Sequence, residues 1–255
     1  MEPCPRLSAA AACLPDAGSR CFAALGAAGL NLHAVFDLDA LPPEVIAAIG
    51  LDDEALARFR QLILIGHLGR YFWDALQRRG LHGSDPVDQF VTERVAAWMA
   101  DELPGHEWQQ VFPGPAPVGL QRLGQLAGWH QASPFWVGVD AEWGSWFAYR
   151  ALLLTDTELP PTLRRELASP CLNCSEKPCV SACPARALSA PAEQLGAGMG
   201  PGLQRCLGYR LQPGSSCQDR CLARNACPVG ERYRYSEAQT RYHYLQSLRF
   251  IREHC

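Results

Sequence analysis

The chain has 255 residues, of which 48% are hydrophobic and 19% are charged. This composition supplies enough apolar material for one or two globular domains and argues against a disordered chain. Lys and Arg number 23 against 26 Asp and Glu, and the net charge of -3 gives no overall positive field that would attract a nucleic acid.

Apolar runs in the sequence are short. None approaches the roughly 18 to 20 residues that span a bilayer, so no transmembrane helix is expected. Residues 7–13 are similar to a lipoprotein signal, but their apolar stretch is short and Arg6 is the one basic residue before it. We therefore expect a cytoplasmic protein with no membrane partner.

The first 165 residues alternate between strand-like and helical patterns. Strands are predicted where apolar residues alternate or run together, at 32–38, 62–66 and 146–154. Helices are predicted at 44–50, 52–60, 69–79, 86–103 and 118–129, with a Pro- and Gly-rich loop at 111–117. Tyr71, Phe72, Ala75 and Leu76 are expected on the inner face of the 69–79 helix. This order of elements predicts a layered α/β or α+β domain.

The composition changes between Pro170 and Pro228, where Cys, Pro, Gly and Ser replace the long apolar patterns. A small, loop-rich segment of this kind needs a source of stability other than an apolar core. Residues 235–252 then return to a helical pattern. We predict a first domain over residues 1–167, a small module over 168–230, and a C-terminal helix within 231–255 that packs back on the first domain.

Eight of the 12 cysteines are clustered within this loop-rich segment. A disulfide scaffold would carry cysteines throughout the chain, whereas clustering at short spacings in an unexported protein indicates metal ligation. The clustered residues are Cys171, Cys174, Cys179, Cys183, Cys206, Cys217, Cys221 and Cys227. Cys4, Cys13, Cys21 and Cys255 lie elsewhere and are expected to be uncoordinated thiols or small buried residues.

Two cysteine runs that each end in Cys-Pro resemble a two-cluster bacterial ferredoxin. In such modules three thiolates of one run bind one [4Fe-4S] cluster and the fourth binds the other cluster. The resemblance implies one cluster on Cys171, Cys174, Cys179 and Cys227, and a second cluster on Cys183, Cys206, Cys217 and Cys221. The gaps before Cys179 and after Cys217 and Cys221 are longer than in ferredoxins. Two structural zinc sites would use the same ligands and remain an alternative.

Short segments around the cysteines resemble epoxyqueuosine reductases. They read LAGW at 126–129, GSWF at 144–147 and RCLGY at 205–209. A second resemblance, to CblC-type cobalamin-processing proteins, is carried in chain order by LPP at 41–43, DPVDQ at 85–89, GSWFAYR at 144–150, LPP at 159–161 and RYSEAQ at 234–239. Epoxyqueuosine reductases, reductive dehalogenases and CblC proteins share a nitroreductase-like domain that holds a corrinoid. The resemblance implies a nitroreductase-like cobalamin-binding domain with an inserted ferredoxin-like module.

Candidate corrinoid-binding residues also come from the resemblance. Arg150 and Arg234 match arginines that CblC proteins use around a thiol cosubstrate or the polar rim of the corrinoid, and a guanidinium can bind carboxylates or amide oxygens. The aromatic residues Trp129, Trp146 and Phe147 are expected to wall the flat corrinoid ring. An ion pair is the alternative role for each arginine, and core packing is the alternative for each ring. The sequence assigns no catalytic residue.

The resemblance implies an oxidoreductase that reduces cobalamin or removes its upper axial ligand, with electrons supplied through two [4Fe-4S] clusters from an unidentified donor. An epoxyqueuosine reductase-like or reductive dehalogenase-like enzyme is one alternative, and tRNA would be a partner only in that case. Residues 111–118 hold no carboxylate where epoxyqueuosine reductases carry a general acid. The other alternative is a non-catalytic electron carrier or corrinoid chaperone.

Overall fold

The computed structural model describes residues 21–50, 53–115, 118–163, 168–188 and 200–254. The chain divides into two compact units. Unit 1 contains Met1–Ala127 and Ala148–Arg164, and unit 2 contains Gly128–Phe147 and Arg165–Cys255. The segment 7–13 and Cys4, Cys13 and Cys255 lie outside the described residues. The domain boundaries at 167 and 230 stay a prediction.

A four-stranded sheet is the centre of unit 1, with the strand order β1-β2-β4-β3. The strands are β1 (Leu32–Asp37), β2 (Gln61–Leu68), β3 (Trp108–Phe112) and β4 (Phe147–Thr155). β1 pairs antiparallel with β2, and β3 pairs antiparallel with β4. The backbone N–H of Arg60 donates to the carbonyl of Thr155 at 3.0 Å, which joins the start of β2 to the end of β4. This sheet, together with the helices, makes the fold α+β.

The two central strands form the core of unit 1. Leu62, Ile63, Leu64 and Ile65 of β2 are all 0% exposed. A continuous apolar run of this kind is typical of a strand covered on both faces, which is why the sequence predicted it correctly. The sequence did not predict β3, and the predicted loop at 111–117 overlaps its end. The strand was missed because Trp108–Phe112 is only partly buried and has no strong apolar pattern.

Helices surround the sheet in unit 1. They are α1 (Ala23–Ala27), α2 (Pro43–Ile49), α3 (Asp53–Arg58), α4 (Tyr71–Arg79), α5 (Pro86–Glu102) and α6 (Leu120–Leu126). α5 begins with a proline in its first turn, where the missing N–H costs nothing, and its buried residues recur at helical spacing. α4 buries Phe72, Ala75 and Leu76, whereas Tyr71 is 73% exposed and does not lie on the inner face.

Unit 2 consists mainly of short helices and turns. Its helices are α7 (Pro178–Ser181), α8 (Gly200–Leu211), α9 (Leu222–Asn225) and α10 (Glu237–His254). α7 packs against α9, and α8 packs against α10. Within the described parts of the chain, no helix has both the length and the apolar character that crossing a bilayer requires.

Candidate metal centre and its surroundings

Four cysteine thiols of unit 2 influence one another electrostatically, and we call them the first thiol group: Cys171, Cys174, Cys179 and Cys227. The pKa of Cys179 is raised to about 11, first by burial and then by electrostatic repulsion from the other three cysteines in their thiolate form. The pKa of Cys171 is raised by burial, and the charges of Cys227 and Cys174 raise it further. Because such interactions weaken with distance, the four side chains lie near one another.

Four other cysteine thiols form the second thiol group: Cys183, Cys206, Cys217 and Cys221. Burial raises the pKa of Cys206 to about 11, and the charges of Cys221, Cys183 and Cys217 contribute to the increase. The pKa of Cys221 is raised by burial first and also by the charge of Cys217. The eight clustered cysteines thus separate into two groups of four.

Each thiol group contains one cysteine from the sequence run that supplies other members of the opposite group. Cys183 follows the first run but lies with the second group, and Cys227 ends the second run but lies with the first group. This grouping is the one that the ferredoxin resemblance implied. Across the described ranges, no three or more His, Cys, Asp or Glu side chains are arranged so that they could hold a single metal ion. Ligation of a metal by these thiols therefore stays a proposal.

Backbone turns around the first thiol group are fixed by hydrogen bonds. The Ser169 hydroxyl accepts from the backbone N–H of Cys171 at 3.2 Å and donates to the carbonyl of Ala132 at 2.8 Å. The ammonium of Lys177 donates to the carbonyls of Cys171 and Cys174 at 3.1 and 2.8 Å. Polar groups that would otherwise be unsatisfied in this loop therefore have partners, which holds the thiols in a defined arrangement.

An apolar cluster connects the two thiol groups. Phe135 and Ala223 are buried together with Cys179 and Cys227 of the first group. Cys183 and Cys221, which belong to the second group, pack against the same cluster. The two groups are therefore neighbours that share one water-poor surface.

Two predicted corrinoid residues of unit 2 lie beside this centre. Trp146 is fully buried, and the guanidiniums of Arg224 and Arg234 lie 4.6 and 5.6 Å from the centre of its ring. Arg234 also donates from Nη2 to the carbonyl of Cys227 at 3.4 Å and lies 3.5 Å from the carboxylate of Glu231. The structure thus places Arg234 next to the first thiol group, as part of a stack of charged and aromatic side chains.

The other two predicted aromatic residues are also buried. Trp129 and Phe147 are each 6% exposed. The Phe147 ring stacks on the ring of Trp143 at a centroid distance of 6.1 Å. Packing within the protein accounts for these rings, and their contact with a corrinoid stays a prediction.

Arg150 belongs to unit 1, where its position is well defined. Its Nε donates to Nδ1 of the buried His67 at 2.9 Å, so the ring proton of a neutral His67 is on Nε2. The guanidinium lies 5.0 Å from the centre of the Phe72 ring. Burial raises the pKa of Asp88, and the charge of Arg150 counteracts part of this increase. Within unit 1, Asp88 of the DPVDQ segment and Arg150 therefore lie near each other.

Three cationic residues near the thiols were missed by sequence reasoning. They are Lys177, Arg210 and Arg224. Each lies within four positions of a clustered cysteine, and this spacing is the signal that could have found them. In a helix, residues four apart share a face, so Arg210 follows Cys206 on the same side of α8.

A cavity of about 680 Å³ lies in unit 1, beside the first residue of the central strand β2. Leu38, Ile46 and Phe59 form part of its apolar wall. Gln61, also in its lining, uses its side-chain amide to bond Asp37 and the backbone of Leu159. None of the residues predicted to bind a corrinoid or a metal lines this cavity.

Comparison with known proteins gives a likeness in fold. No protein-family model matches the chain, and no curated protein matches it in sequence. An epoxyqueuosine reductase solved with an epoxyqueuosine-modified tRNA-Tyr stem loop is 13% identical, with 89% of this chain and 68% of that chain covered and a TM-score of 0.54. The epoxyqueuosine reductase from Bacillus subtilis, with its catalytic loop swung out of the active site, is 16% identical over 87% of this chain and 67% of that chain, with a TM-score of 0.54.

A B12-trafficking protein, CblC, from C. elegans is 13% identical over 86% of this chain and 88% of that chain, with a TM-score of 0.48. The matches to epoxyqueuosine reductases have the higher TM-scores. At these identities the likeness describes the fold and not the activity. The described chain is similar in fold to epoxyqueuosine reductases.

Proposed function

We propose that this chain is an iron–sulfur oxidoreductase that carries two [4Fe-4S] clusters and passes electrons to a corrinoid. The observation that carries the proposal is the separation of eight cysteines into two thiol groups of four. Cys183 of the first run lies with the second group, and Cys227 of the second run lies with the first group. This is the arrangement expected of two-cluster ferredoxins. The fold similarity to epoxyqueuosine reductases supports it.

The donor chemistry of both groups suits a cluster. Four soft thiolates are the ligands that iron–sulfur clusters use. Burial raises the pKa of Cys179 and Cys206, so these thiols would lose their protons only where positive charge compensates. A metal centre supplies such charge directly, and Lys177, Arg210 and Arg224 add to it. Zinc would use the same ligands, so metal content has to distinguish the two.

When bound, the clusters would take up and release electrons one at a time. The protein contributes an apolar cluster that contacts both thiol groups and includes Phe135 and Ala223. Cys179 of the first group is buried in this cluster, and Cys221 of the second group packs against it. Short separation and fixed geometry are what electron transfer between two centres requires.

A corrinoid is proposed as the substrate that receives these electrons. One electron added to Co(III) gives Co(II), and the upper ligand leaves as an anion with the bonding pair. An external reductant then supplies the next electron to the protein. We propose that Arg150 and Arg234 donate hydrogen bonds to the polar side chains of the corrinoid, with Trp129, Trp146 and Phe147 as neighbouring apolar residues.

Arg150 is the best supported of these five residues. It is half-buried, and its guanidinium is fixed by the bond to His67 and by the ring of Phe72. A guanidinium held in this way can bind amide oxygens with little further loss of conformational freedom. Its place in the GSWFAYR segment supports the same assignment.

Reduction of an epoxide or an organohalide is the second candidate function, because the fold is similar to that of epoxyqueuosine reductases. Opening an epoxide needs a proton at the leaving oxygen. Residues 111–115 form the end of β3 and the turn after it, and they contain no carboxylate. An epoxide substrate would therefore need a proton donor from another segment.

Metal content is the first test of the proposal. Anaerobic reconstitution of the chain is expected to give about eight iron and eight sulfide per chain, as two [4Fe-4S] clusters require. The Cys21→Ala variant is the matched control, because Cys21 is a buried cysteine of unit 1 outside both thiol groups. Stoichiometric zinc without sulfide would contradict the proposal.

Titration of the iron-loaded protein with cobalamin tests the proposed transfer of electrons to a corrinoid. Electron paramagnetic resonance is recorded anaerobically before and after dithionite. A bound Co(II) signal whose size depends on cluster reduction is expected. Cobalamin that binds stoichiometrically and stays unchanged after reduction would identify a carrier or chaperone. A change in the cobalt signal when modified tRNA or an organohalide is added would indicate the second candidate function. Intact clusters without any cobalt interaction would contradict the corrinoid proposal.

A further inference from the structure

Two arginines of unit 2 are buried beside the second thiol group. Arg210 is 8% exposed and Arg224 is 9% exposed. In the described parts of the chain, neither guanidinium forms an ion pair with a carboxylate. An arginine is expensive to bury without a negative partner, so these two positions require a compensating charge.

All three nitrogens of the Arg210 guanidinium are held in place. Nε donates to the carbonyl of Cys217 at 3.2 Å, and Nη1 donates to the hydroxyl of Ser247 at 3.2 Å. Nη2 donates to the carbonyl of Tyr244 at 3.0 Å, and the guanidinium lies 5.2 Å from the centre of that residue's ring. Arg210 therefore ties a ligand of the second thiol group to α10.

Arg224 is held equally firmly. Its Nε donates to the Ser145 hydroxyl at 3.1 Å, and its Nη2 donates to the carbonyl of the same residue. The guanidinium lies 4.6 Å from the ring centre of Trp146 and 5.0 Å from that of Tyr235. The backbone N–H of Arg224 also donates to Sγ of Cys221 at 3.4 Å. The residue thus contacts the second thiol group through its backbone and brings a buried positive charge close to it.

The first thiol group has a different charge environment. Its cations, Lys177 and Arg234, are only half-buried. Arg234 lies 3.5 Å from the carboxylate of Glu231, which offsets part of its charge. Exposed and paired charges act weakly because solvent screens them, whereas buried charges without carboxylate partners act strongly.

We propose that Arg210 and Arg224 are the charge-compensating residues of the second cluster, and that they hold its reduction potential above that of the first cluster. Reduction adds one electron to a negatively charged cluster, and no bond forms or breaks. Nearby positive charge stabilises the reduced form, and net charge and hydrogen bonding are known to set cluster potentials. Electrons that enter the protein would then collect on the second cluster. This inference rests on the proposed cluster assignment.

Redox titration with dithionite, followed by electron paramagnetic resonance, tests the proposal. Loss of a signal in the Cys206→Ala variant identifies the second cluster. In Arg210→Gln and in Arg224→Gln, the ratio of reduced to oxidised second cluster at a fixed potential is expected to fall at least tenfold, which is 59 mV for one electron. The potential of the first cluster is expected to stay unchanged.

Two sets of variants serve as controls. Arg210→Lys and Arg224→Lys keep the positive charge and should shift the potential less than the glutamine variants do. Arg249→Gln removes the charge of an exposed side chain of α10, and it should leave both potentials unchanged. An unchanged second potential in the glutamine variants, with both clusters present, would overturn the inference.

Cluster loss in a variant is also informative. If both glutamine variants lose the iron of the second cluster and both lysine variants retain it, charge compensation is supported. If the lysine variants lose it as well, the arginines act through shape and the inference is overturned. A wild-type chain that assembles no cluster would refute the proposed function itself, whereas two clusters with insensitive potentials would refute only this inference.

Discussion

The backbone of Gly144 lies directly against the carbonyl of Val229, so that a Cβ atom on Gly144 would overlap this oxygen. Gly144 also has a positive φ of 64°. A side chain at this position would therefore be strained twice, once by the left-handed backbone and once by the contact. The close approach joins the GSWF segment to the end of the second cysteine run.

Gly144→Ala is expected to destabilise unit 2 by about 2 kcal/mol or more, since the left-handed conformation alone costs an alanine roughly 1 kcal/mol. The measurement is the free energy of unfolding in urea. Gly208→Ala is the matched control in α8, where a Cβ meets nothing within 4 Å, and helix propensity predicts a gain of about 0.5–1 kcal/mol. Equal stability of both variants would contradict the close contact.

Double cysteine variants test the exchange of ligands between the two runs. Cys171→Ala with Cys227→Ala removes two members of the first thiol group, so about four iron should remain. Cys171→Ala with Cys183→Ala removes one member from each group and should leave little iron, although both residues belong to the first run. Iron and sulfide analysis after anaerobic reconstitution gives the answer. The opposite order of the two variants would show that each run binds its own cluster.

Arg150→Ala is expected to weaken both the fold and corrinoid binding. The variant leaves Nδ1 of the buried His67 without its donor from Arg150, and such a loss costs about 1–3 kcal/mol. Arg94→Ala is the control, since Arg94 is an exposed arginine 5.8 Å from the ring centre of Phe90, and its removal should cost less than about 0.5 kcal/mol. Cobalamin titrations of the two folded variants compare affinity. A destabilised Arg150→Ala protein with unchanged affinity would assign the residue to folding alone.

Stability should fall in mild acid because of a buried histidine. Burial lowers the pKa of His130 from 6.5 to about 4. Between these values the unfolded chain binds a proton that the folded chain does not, so the free energy of unfolding decreases as the pH falls from about 6.5 to 4. The loss is roughly 3 kcal/mol for one such residue.

Urea unfolding of wild type and of His130→Gln at several pH values measures this effect. The variant should lose the part of the pH dependence that comes from His130. It should retain the part that comes from His33, whose pKa is also lowered to about 4, mainly by burial. An identical pH dependence in both proteins would contradict the prediction.

Much of unit 1 could be predicted because its signals are local. The apolar run at 62–65 and the proline that opens α5 both specify their elements through short-range physics. Tyr71 was misplaced because helical spacing alone does not tell where the covering segment ends. β3 was missed because its stability comes from pairing with β4, which is distant in sequence.

In the candidate site, the cysteines could be predicted from the sequence, whereas the buried arginines beside them could not. The resemblance to two-cluster ferredoxins implied the same two groups of cysteines, and it rested on the two runs that end in Cys-Pro. The arginines at 210 and 224 were missed, because a charged residue in sequence is more often solvated than buried. Only the contacts of Arg224 with Ser145 and Trp146 reveal its position, and these partners are far from it in the chain.

The exchange of Cys183 and Cys227 also affects biosynthesis. A nascent chain that has emerged only as far as Cys183 carries three thiols of the first group and one of the second. The second group of four is complete only when Cys221 has left the ribosome, and the first group only when Cys227 has. Under the proposed cluster assignment, loading of either cluster would therefore follow synthesis as far as Cys221, and a translation product truncated before that residue would lack a complete set of ligands for both clusters.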